Sequence, residues 1–455
     1  MLIRFMVSNF LSFNSEQEFS MNTGKTRQYE DRVAETNDLS LLKFATLYGA
    51  NASGKSNFVK AIDFSKNIIA DGIDDMSYED MHYKLDPKNI EKSTKFEYEI
   101  KIKNNYYAFG FNVDLKNKII LNEWLVEIAP KGDRLIYERS VEDNYYRHDL
   151  EFDQEATRAK FEFLLEDANN IENTLLITEI NRRKNNPESF RIFENIFTWF
   201  DDKLEVIYPD SVMHEMTKIF KNRDINLVKL LKYFDTGIEN FELRESSLEE
   251  ISKYLPKPLF NNIKNDIMDT KKDINLEHEG EGIKIAGLGI LRLQDHFYEI
   301  DVREETVVKE ILFNHNKNKD ITFTFGEESD GTRRLIELLN VIHGDNKDKI
   351  FIIDELDRSL HPQMTIKFVE TFLKIAKRKD TQLIITTHES NLMDLKILRR
   401  DEIWFVERDH KSDESKLYSL EEFKVHNTKK VVNDYLIGRY GAVPIFKDFE
   451  SYVGD

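Results

Sequence analysis

The chain has 455 residues, of which 40% are hydrophobic and 33% charged, a balance that suits two or three folded domains and excludes a disordered tail. It contains 11 His and no Cys, which excludes disulfide frameworks, thiolate zinc sites and cysteine nucleophiles and fits a cytoplasmic setting. A formal net charge of −19 repels polyanions, so any contact with nucleic acid has to come from a local basic patch.

The opening "MLIRFMVSNFLSF" is apolar, but Arg4, Ser8 and Asn9 interrupt it before a signal-peptide core could form, and no later stretch is long enough to span a bilayer. Segments 1–8 and 15–21 alternate apolar and polar residues like paired strands. Residues 41–48 form a continuous apolar run, the pattern of a strand buried on both faces. The turn "GANASGKSN" (49–57) follows, and then Phe58, Ile62 and Ile69 fall on one helical face. "FEYEIKI" (96–102), "YYAFGFNVD" (106–114) and "IILNEWLVEI" (119–128) read as an antiparallel meander, with a boundary near residue 150. From 151 to 310 helix-like stretches such as "AKFEFLLEDANNIENTLLITEINRRK" dominate, without sustained heptads, and predict an inserted, mainly helical domain. Over 311–455 strands and helices alternate again: "ITFTF", "TRRLIELLNVI", "KIFIID", "QMTIKFVETFLKIAK", "QLIITT" and "EIWFVER". That order implies a largely parallel sheet with covering helices. The 32 Phe residues sit inside these apolar patterns and read as core.

Four short segments carry chemistry. Gly49-x4-Gly54-Lys55-Ser56 fits a phosphate-binding loop: Gly54 lets backbone N–H groups approach phosphate oxygens, and the helix that starts there offers its positive end. Lys55 reaches the terminal phosphates and Ser56 ligates Mg²⁺. "KIFIIDELDRSLHP" ends an apolar strand with Asp354, which can hold the metal, and Glu355, which can orient and deprotonate an attacking water. Alone, this pair would be an acidic turn; beside a phosphate loop it supplies the carboxylate such a loop needs. Lys55 and Asp354 are about 300 residues apart and must meet at one metal ion, so the chain has to leave the nucleotide fold and return to it. "FGEESDGTRRL" places Ser329, Asp330 and Gly331 at a helix start, an anion site or an ordinary cap. His388 follows the strand "QLIITT", expected beside the Asp354 strand, where it could bond a terminal phosphate or the attacking water.

Taken in order, "GANASGKSN", "SDGT", "IFIIDELD", "SLHP" and "TTH" resemble the ATP-binding-cassette heads of the SMC, RecF and OLD group. Nearly the whole chain is similar to stand-alone AAA-family ATPases of bacterial defence loci, the RloA and AbiLi-like proteins. The similarity includes the opening "MLIRFMVSNFLSF", the phrase "FATLYGANASGKSN", and "DEIWFVERD" through "YLIGRYGAVP". The resemblance implies an α/β P-loop NTPase fold of ABC-ATPase type, with an antiparallel meander, a parallel core and the helical insertion. ATP and Mg²⁺ would be its cofactors. It makes Gly49, Asn51, Ala52, Ser53, Gly54, Lys55, Ser56 and Asn57 the nucleotide loop, Ser56 and Asp354 the metal donors, and Glu355 the general base. Ser329 and Gly331 look like the signature segment, Asp357 to His361 like a loop crossing a dimer interface, and His388 like the switch histidine. In such heads the signature of one subunit completes the ATP site of the other, so a homodimer or higher homo-oligomer is implied. The signature here reads "SDGT" rather than a double-glycine form. No Gln occurs between Gln28 and Gln154, where such heads carry one, although His82 and Asp86 fall in that region.

About 60 residues follow "TTHES", too few for the TOPRIM nuclease domain found in part of this group. Arg333 and Glu337, at helical spacing, read as an intrahelical ion pair. The resemblance therefore implies an ATPase that dimerises through its heads and regulates a separately encoded effector nuclease in antiviral defence. A second reading is a DNA-repair or recombination ATPase that binds duplex directly through Arg182, Arg183 and Lys184, or through Lys374, Lys377, Arg378 and Lys379. Asp354 and Glu355 together argue against a non-hydrolysing scaffold.

Overall fold

The computed structural model describes residues 1–36, 38–73, 80–170, 173–183, 186–209, 225–258, 260–265, 267–268, 288–293, 296–302, 305–315, 321–343, 346–423 and 431–443. The chain forms two compact units. The first comprises Met1–Pro209, Asn346–Asp357 and Val369–Asp455, and the second Asp210–Asp345 and Arg358–Phe368.

A six-stranded sheet organises the first unit, in the order Leu204–Ile207, Ile350–Ile353, Gln382–Thr386, Phe44–Tyr48, Ile403–Arg408, Ser415–Ser419. The first five strands are parallel to their neighbours and the last is antiparallel. "FATLY", "IFII" and "QLIIT" are buried at every position, as runs sandwiched between two layers must be. Pairing of Ile207 with Ile353, Ile353 with Ile385, and Thr386 with Leu47 brings the carboxyl ends of four strands level. In an open parallel sheet that edge is where ligands bind.

The meander is present and extends in both directions. Seven antiparallel strands run in the order Tyr145–His148, Arg134–Ser140, Ile119–Ile128, Asn105–Asp114, Thr94–Ile102, Leu2–Ser8, Gln17–Ser20. The helix Lys55–Asp71 shares a core with this sheet: the Phe58 ring lies 5.8 Å from Phe5 and 5.0 Å from Phe19, and Phe64 lies 5.0 Å from Phe10. Gln382 ties the two sheets together, donating to the carbonyls of Leu2 and Leu42 at 2.9 Å and accepting from Leu2 N at 2.6 Å. Its amide is fully buried and fully used, which is how a polar group is tolerated in a core.

The expected boundaries at 150 and 310 are displaced. Helices Glu155–Asn170, Leu176–Arg182 and Arg191–Thr198 exist, but their buried Phe161, Leu165, Ile177, Ile180 and Phe193 join the core of the first unit. Leu204–Ile207 even completes the central sheet. Short amphipathic helices need an apolar surface to cover, and the meander provides it. A buried ion pair fixes the join: Arg139 Nε lies 2.8 Å from Glu123, which also accepts from Leu176 N at 2.8 Å, while Arg139 donates to the Thr174 carbonyl at 2.7 Å.

Among its described residues the second unit combines helices with a sheet. It contains the helices Ile225–Tyr233 and Asp330–His343 and a four-stranded antiparallel sheet ordered Asn240–Ser246, Val307–Asn314, His296–Asp301, Leu288–Leu293. The strands interleave apolar residues with cross-strand ion pairs such as Arg244 with Glu310 at 2.7 Å. The boundary drawn at 310 falls inside the strand Val307–Asn314, and the segment 311–455 is itself shared between the units.

Candidate functional site

The phosphate loop leaves the Phe44–Tyr48 strand at Gly49 and enters the helix at Lys55. A Cβ at Gly49 would overlap the Val406 carbonyl. Gly54 takes φ +112, and a Cβ there would overlap Ser415 Oγ and stand 2.8 Å from Ser12 Oγ, so both glycines are required. Ser415 Oγ braces the loop from outside, 2.6 Å from the Ser53 carbonyl oxygen and 2.7 Å from Ser12 Oγ, and Asn57 Nδ2 donates to Ser12 Oγ at 2.9 Å. Asn51 and Ala52 are exposed, Ala52 at φ +61, while Ser53 is buried with an Oγ that has no hydrogen-bond partner. Lys55 is buried and its Nζ donates to the carbonyls of Gly49 at 2.8 Å and Ala50 at 3.1 Å. Burial lowers its pKa, an effect opposed by Asp354, Glu355 and Asp357.

Those three carboxylates occupy the turn after Ile350–Ile353. Asp354 is buried; its N–H donates to the Ile207 carbonyl at 2.9 Å and its Oδ1 accepts from Thr386 Oγ1 at 2.6 Å. Glu355 adopts φ +48, and its N–H donates to the same Thr386 hydroxyl at 2.8 Å. Asp357 accepts from Thr387 Oγ1 at 2.8 Å and from His388 N at 3.2 Å. His388 therefore follows the strand adjacent to the Asp354 strand, as the sequence predicts. Partial burial lowers its pKa first, the Lys55 cation lowers it further, and Asp357, Glu355 and Asp354 oppose both. The imidazole is neutral at pH 7, where it can accept or donate a hydrogen bond. Lys55, Asp354, Glu355, Asp357 and His388 thus act on one another within a single electrostatic field.

In the second unit, Ser329 is exposed at the start of the helix Asp330–His343, and its Oγ accepts from Thr332 N at 3.2 Å, the bond of an ordinary cap. A Cβ on Gly331 would stand 2.9 Å from the Ser359 carbonyl. Ser359 has φ +65, and His361 Nδ1 accepts from Gln363 N at 3.2 Å as the helix Pro362–Ala376 begins. Arg333 meets Asp330, and Arg334 lies 3.9 Å from Glu337.

An open pocket of about 330 Å³ continues from the Asn57 end of the loop, lined by Ser12, Ala52, His82, Tyr83, Leu85 and Arg408 among others. Tyr83 is anchored by its hydroxyl on the Ser412 carbonyl at 2.7 Å. The sequence places His82 and Asp86 in this region without a role; Tyr83 and Leu85 lie outside any motif, and Arg408 is legible only as the end of the strand "EIWFVER". Asp86 instead caps the short helix Pro87–Glu91, accepting from Lys88 N at 3.0 Å. Of the basic residues, Arg182 pairs with Glu179 at 3.1 Å, Arg183 lies 3.7 Å from Asp167, and Lys377 pairs with Asp31. Lys184 lies outside the described residues.

Among the described residues, no cluster of three His, Asp or Glu side chains could hold a metal ion unaided. The donors present suit Mg²⁺, which takes one or two protein oxygens and completes its shell with phosphate and water. The Ser56 hydroxyl and the Asp354 carboxylate, oriented by Thr386, are hard oxygen donors of that kind.

A phosphate loop between a buried strand and a helix, with Asp354 and Glu355 two strands away on the same sheet edge, defines a P-loop ATPase of mixed α/β architecture. The chain belongs to the family described as "AAA domain, putative AbiEii toxin, Type IV TA system", whose model matches residues 44–394. No curated protein matches it. Among solved structures it is similar to an SMC head bound to the C-winged helix domain of ScpA, at 14% identity and TM-score 0.41, covering 92% of this chain and 97% of that one. The SMC head domain from Thermotoga maritima gives 12% identity and TM-score 0.37 over 92% of this chain and 98% of that one. An SMC head with an extended coiled coil, bound to a ScpA domain derived from Pyrococcus furiosus, gives 12% and 0.34 over 92% and 96%.

Proposed function

We propose that this chain is a Mg²⁺-dependent ATPase whose heads pair around ATP, and that this pairing regulates a separately encoded effector nuclease in bacterial antiviral defence, as in the RloA and AbiLi-like proteins it resembles. The observation that carries the reading is the placement of Lys55, Asp354, Glu355 and His388 at the ends of neighbouring strands along the carboxyl edge of the parallel sheet.

Each residue then has a task. Backbone N–H groups of residues 51–56 cradle the phosphates, and the Lys55 amine exchanges the Gly49 and Ala50 carbonyls for terminal phosphate oxygens. Ser56 and Asp354 would hold Mg²⁺, which neutralises charge on the phosphates when bound. Glu355, at a left-handed backbone position after the strand, orients a water and takes its proton. His388, neutral beside Lys55, hydrogen-bonds the terminal phosphate or that water. The base occupies the pocket beside Asn57, against Tyr83 and Leu85. Ser329 and Gly331 of a second molecule complete the phosphate shell, and Asp357 opens the loop that crosses between the heads. Among the described residues no helix is long and apolar enough to cross a membrane, consistent with work in the cytoplasm. Direct DNA binding has less support, because Arg182, Arg183 and Lys377 already face carboxylates.

Glu355→Gln removes the base and leaves the binding groups in place. It is expected to abolish phosphate release and to accumulate an ATP-bound dimer in size-exclusion chromatography with light scattering. Full hydrolysis by this variant would remove Glu355 from the mechanism.

A further inference from the structure

The Leu204–Ile207 strand sits outside every motif, yet it touches both halves of the metal-holding apparatus. Its Ile207 carbonyl accepts the Asp354 N–H at 2.9 Å, and Ile207 is level with Ile353 across the parallel pair. The next residue, Tyr208, is half-buried, and its hydroxyl donates to Asp63 Oδ2 at 3.0 Å. Asp63 lies on the helix that begins at Lys55, about two turns beyond Ser56. At the other end of the strand, Lys66 Nζ on that same helix donates to the Leu204 carbonyl at 2.7 Å. The strand that supports Asp354 is thus pinned at both ends to the helix that carries Ser56.

Resting on the ATPase reading above, we infer that Tyr208 is a positioning residue: its hydrogen bond to Asp63 sets the separation between the Ser56 hydroxyl and the Asp354 carboxylate, and so the affinity of the site for Mg²⁺. The geometry gives this tie leverage. Mg²⁺ demands near-octahedral oxygens at about 2.1 Å, so a displacement of a few tenths of an ångström between two of its donors weakens binding, whereas backbone N–H contacts to phosphate tolerate it. The Tyr208 hydroxyl keeps its proton, because burial, then Asp63, then Asp354 oppose its ionisation, and it remains a donor across the working pH range. The Asp63 carboxyl, raised by burial, is steadied by this donor and by Lys66.

Tyr208→Phe keeps the ring and deletes the bond. The test is the affinity of the purified full chain for a fluorescent ATP analogue, measured once in EDTA and once with saturating Mg²⁺. Affinity in EDTA should match wild type and the melting temperature without nucleotide should fall only slightly, while the gain conferred by Mg²⁺ should fall several-fold. Asp63→Asn should show the same loss, and the double variant no more than either single one. An unchanged Mg²⁺ gain in Tyr208→Phe, or an equal loss with and without the metal, would overturn the inference and reduce the contact to packing. Wild-type protein that binds no nucleotide would instead remove the ATPase reading and this inference with it.

Discussion

At the scale of single residues, the site depends on backbone positions that only particular side chains allow. Gly54 must turn through φ +112 with Ser415 Oγ and Ser12 Oγ against its Cα. Gly54→Ala should therefore strain the loop by about 1–3 kcal/mol and push it off Ser415. The expected result is nucleotide affinity lost by more than tenfold while the far-UV spectrum stays native, read by isothermal titration and circular dichroism; wild-type affinity would show that the loop relaxes without cost. The candidate phosphate-loop and carboxylate residues are legible because their pattern is local in sequence: Gly49, Gly54, Lys55 and Ser56 within one loop, Asp354 beside Glu355. The pocket-lining role of Tyr83, Leu85 and Arg408, and the strand-pinning role of Asp63 and Tyr208, are not legible. Each is an ordinary residue whose role arises from what distant chain places next to it.

At the scale of elements, the parallel core and the meander follow from period and burial, and both were readable. "FATLY" and "IFII" admit no exposed face, and "TKFEYEIKI" buries alternate residues. What the pattern could not give is partnership. Helix Leu176–Arg182 has the same amphipathic signature whether it belongs to an insertion or to the head, and the deciding contact is the Glu123–Arg139 pair, which spans the meander and the start of that helix. Arg139→Met should leave Glu123 as an uncompensated buried charge and cost about 3–5 kcal/mol, lowering the midpoint of urea unfolding. An unchanged midpoint would mean that helices 155–198 are held by apolar packing alone. Of the second unit's strands "FYEIDV" carries a clear strand signal, whereas the others are separated in sequence and ion-paired, as Arg244 and Glu310 show.

At the scale of the molecule, the proposed dimer has two identical chains each contributing half of every ATP site, Lys55 with Asp354 from one and Ser329 from the other. The most direct measurement mixes two variants. Lys55→Ala disables the phosphate loop and Ser329→Arg blocks the signature, and each alone should fail to release phosphate. In a mixed dimer one site pairs an intact Lys55 with an intact Ser329, so the mixture should regain a measurable part of wild-type hydrolysis. A mixture as inactive as its components, or full activity of Ser329→Arg by itself, would contradict the shared site.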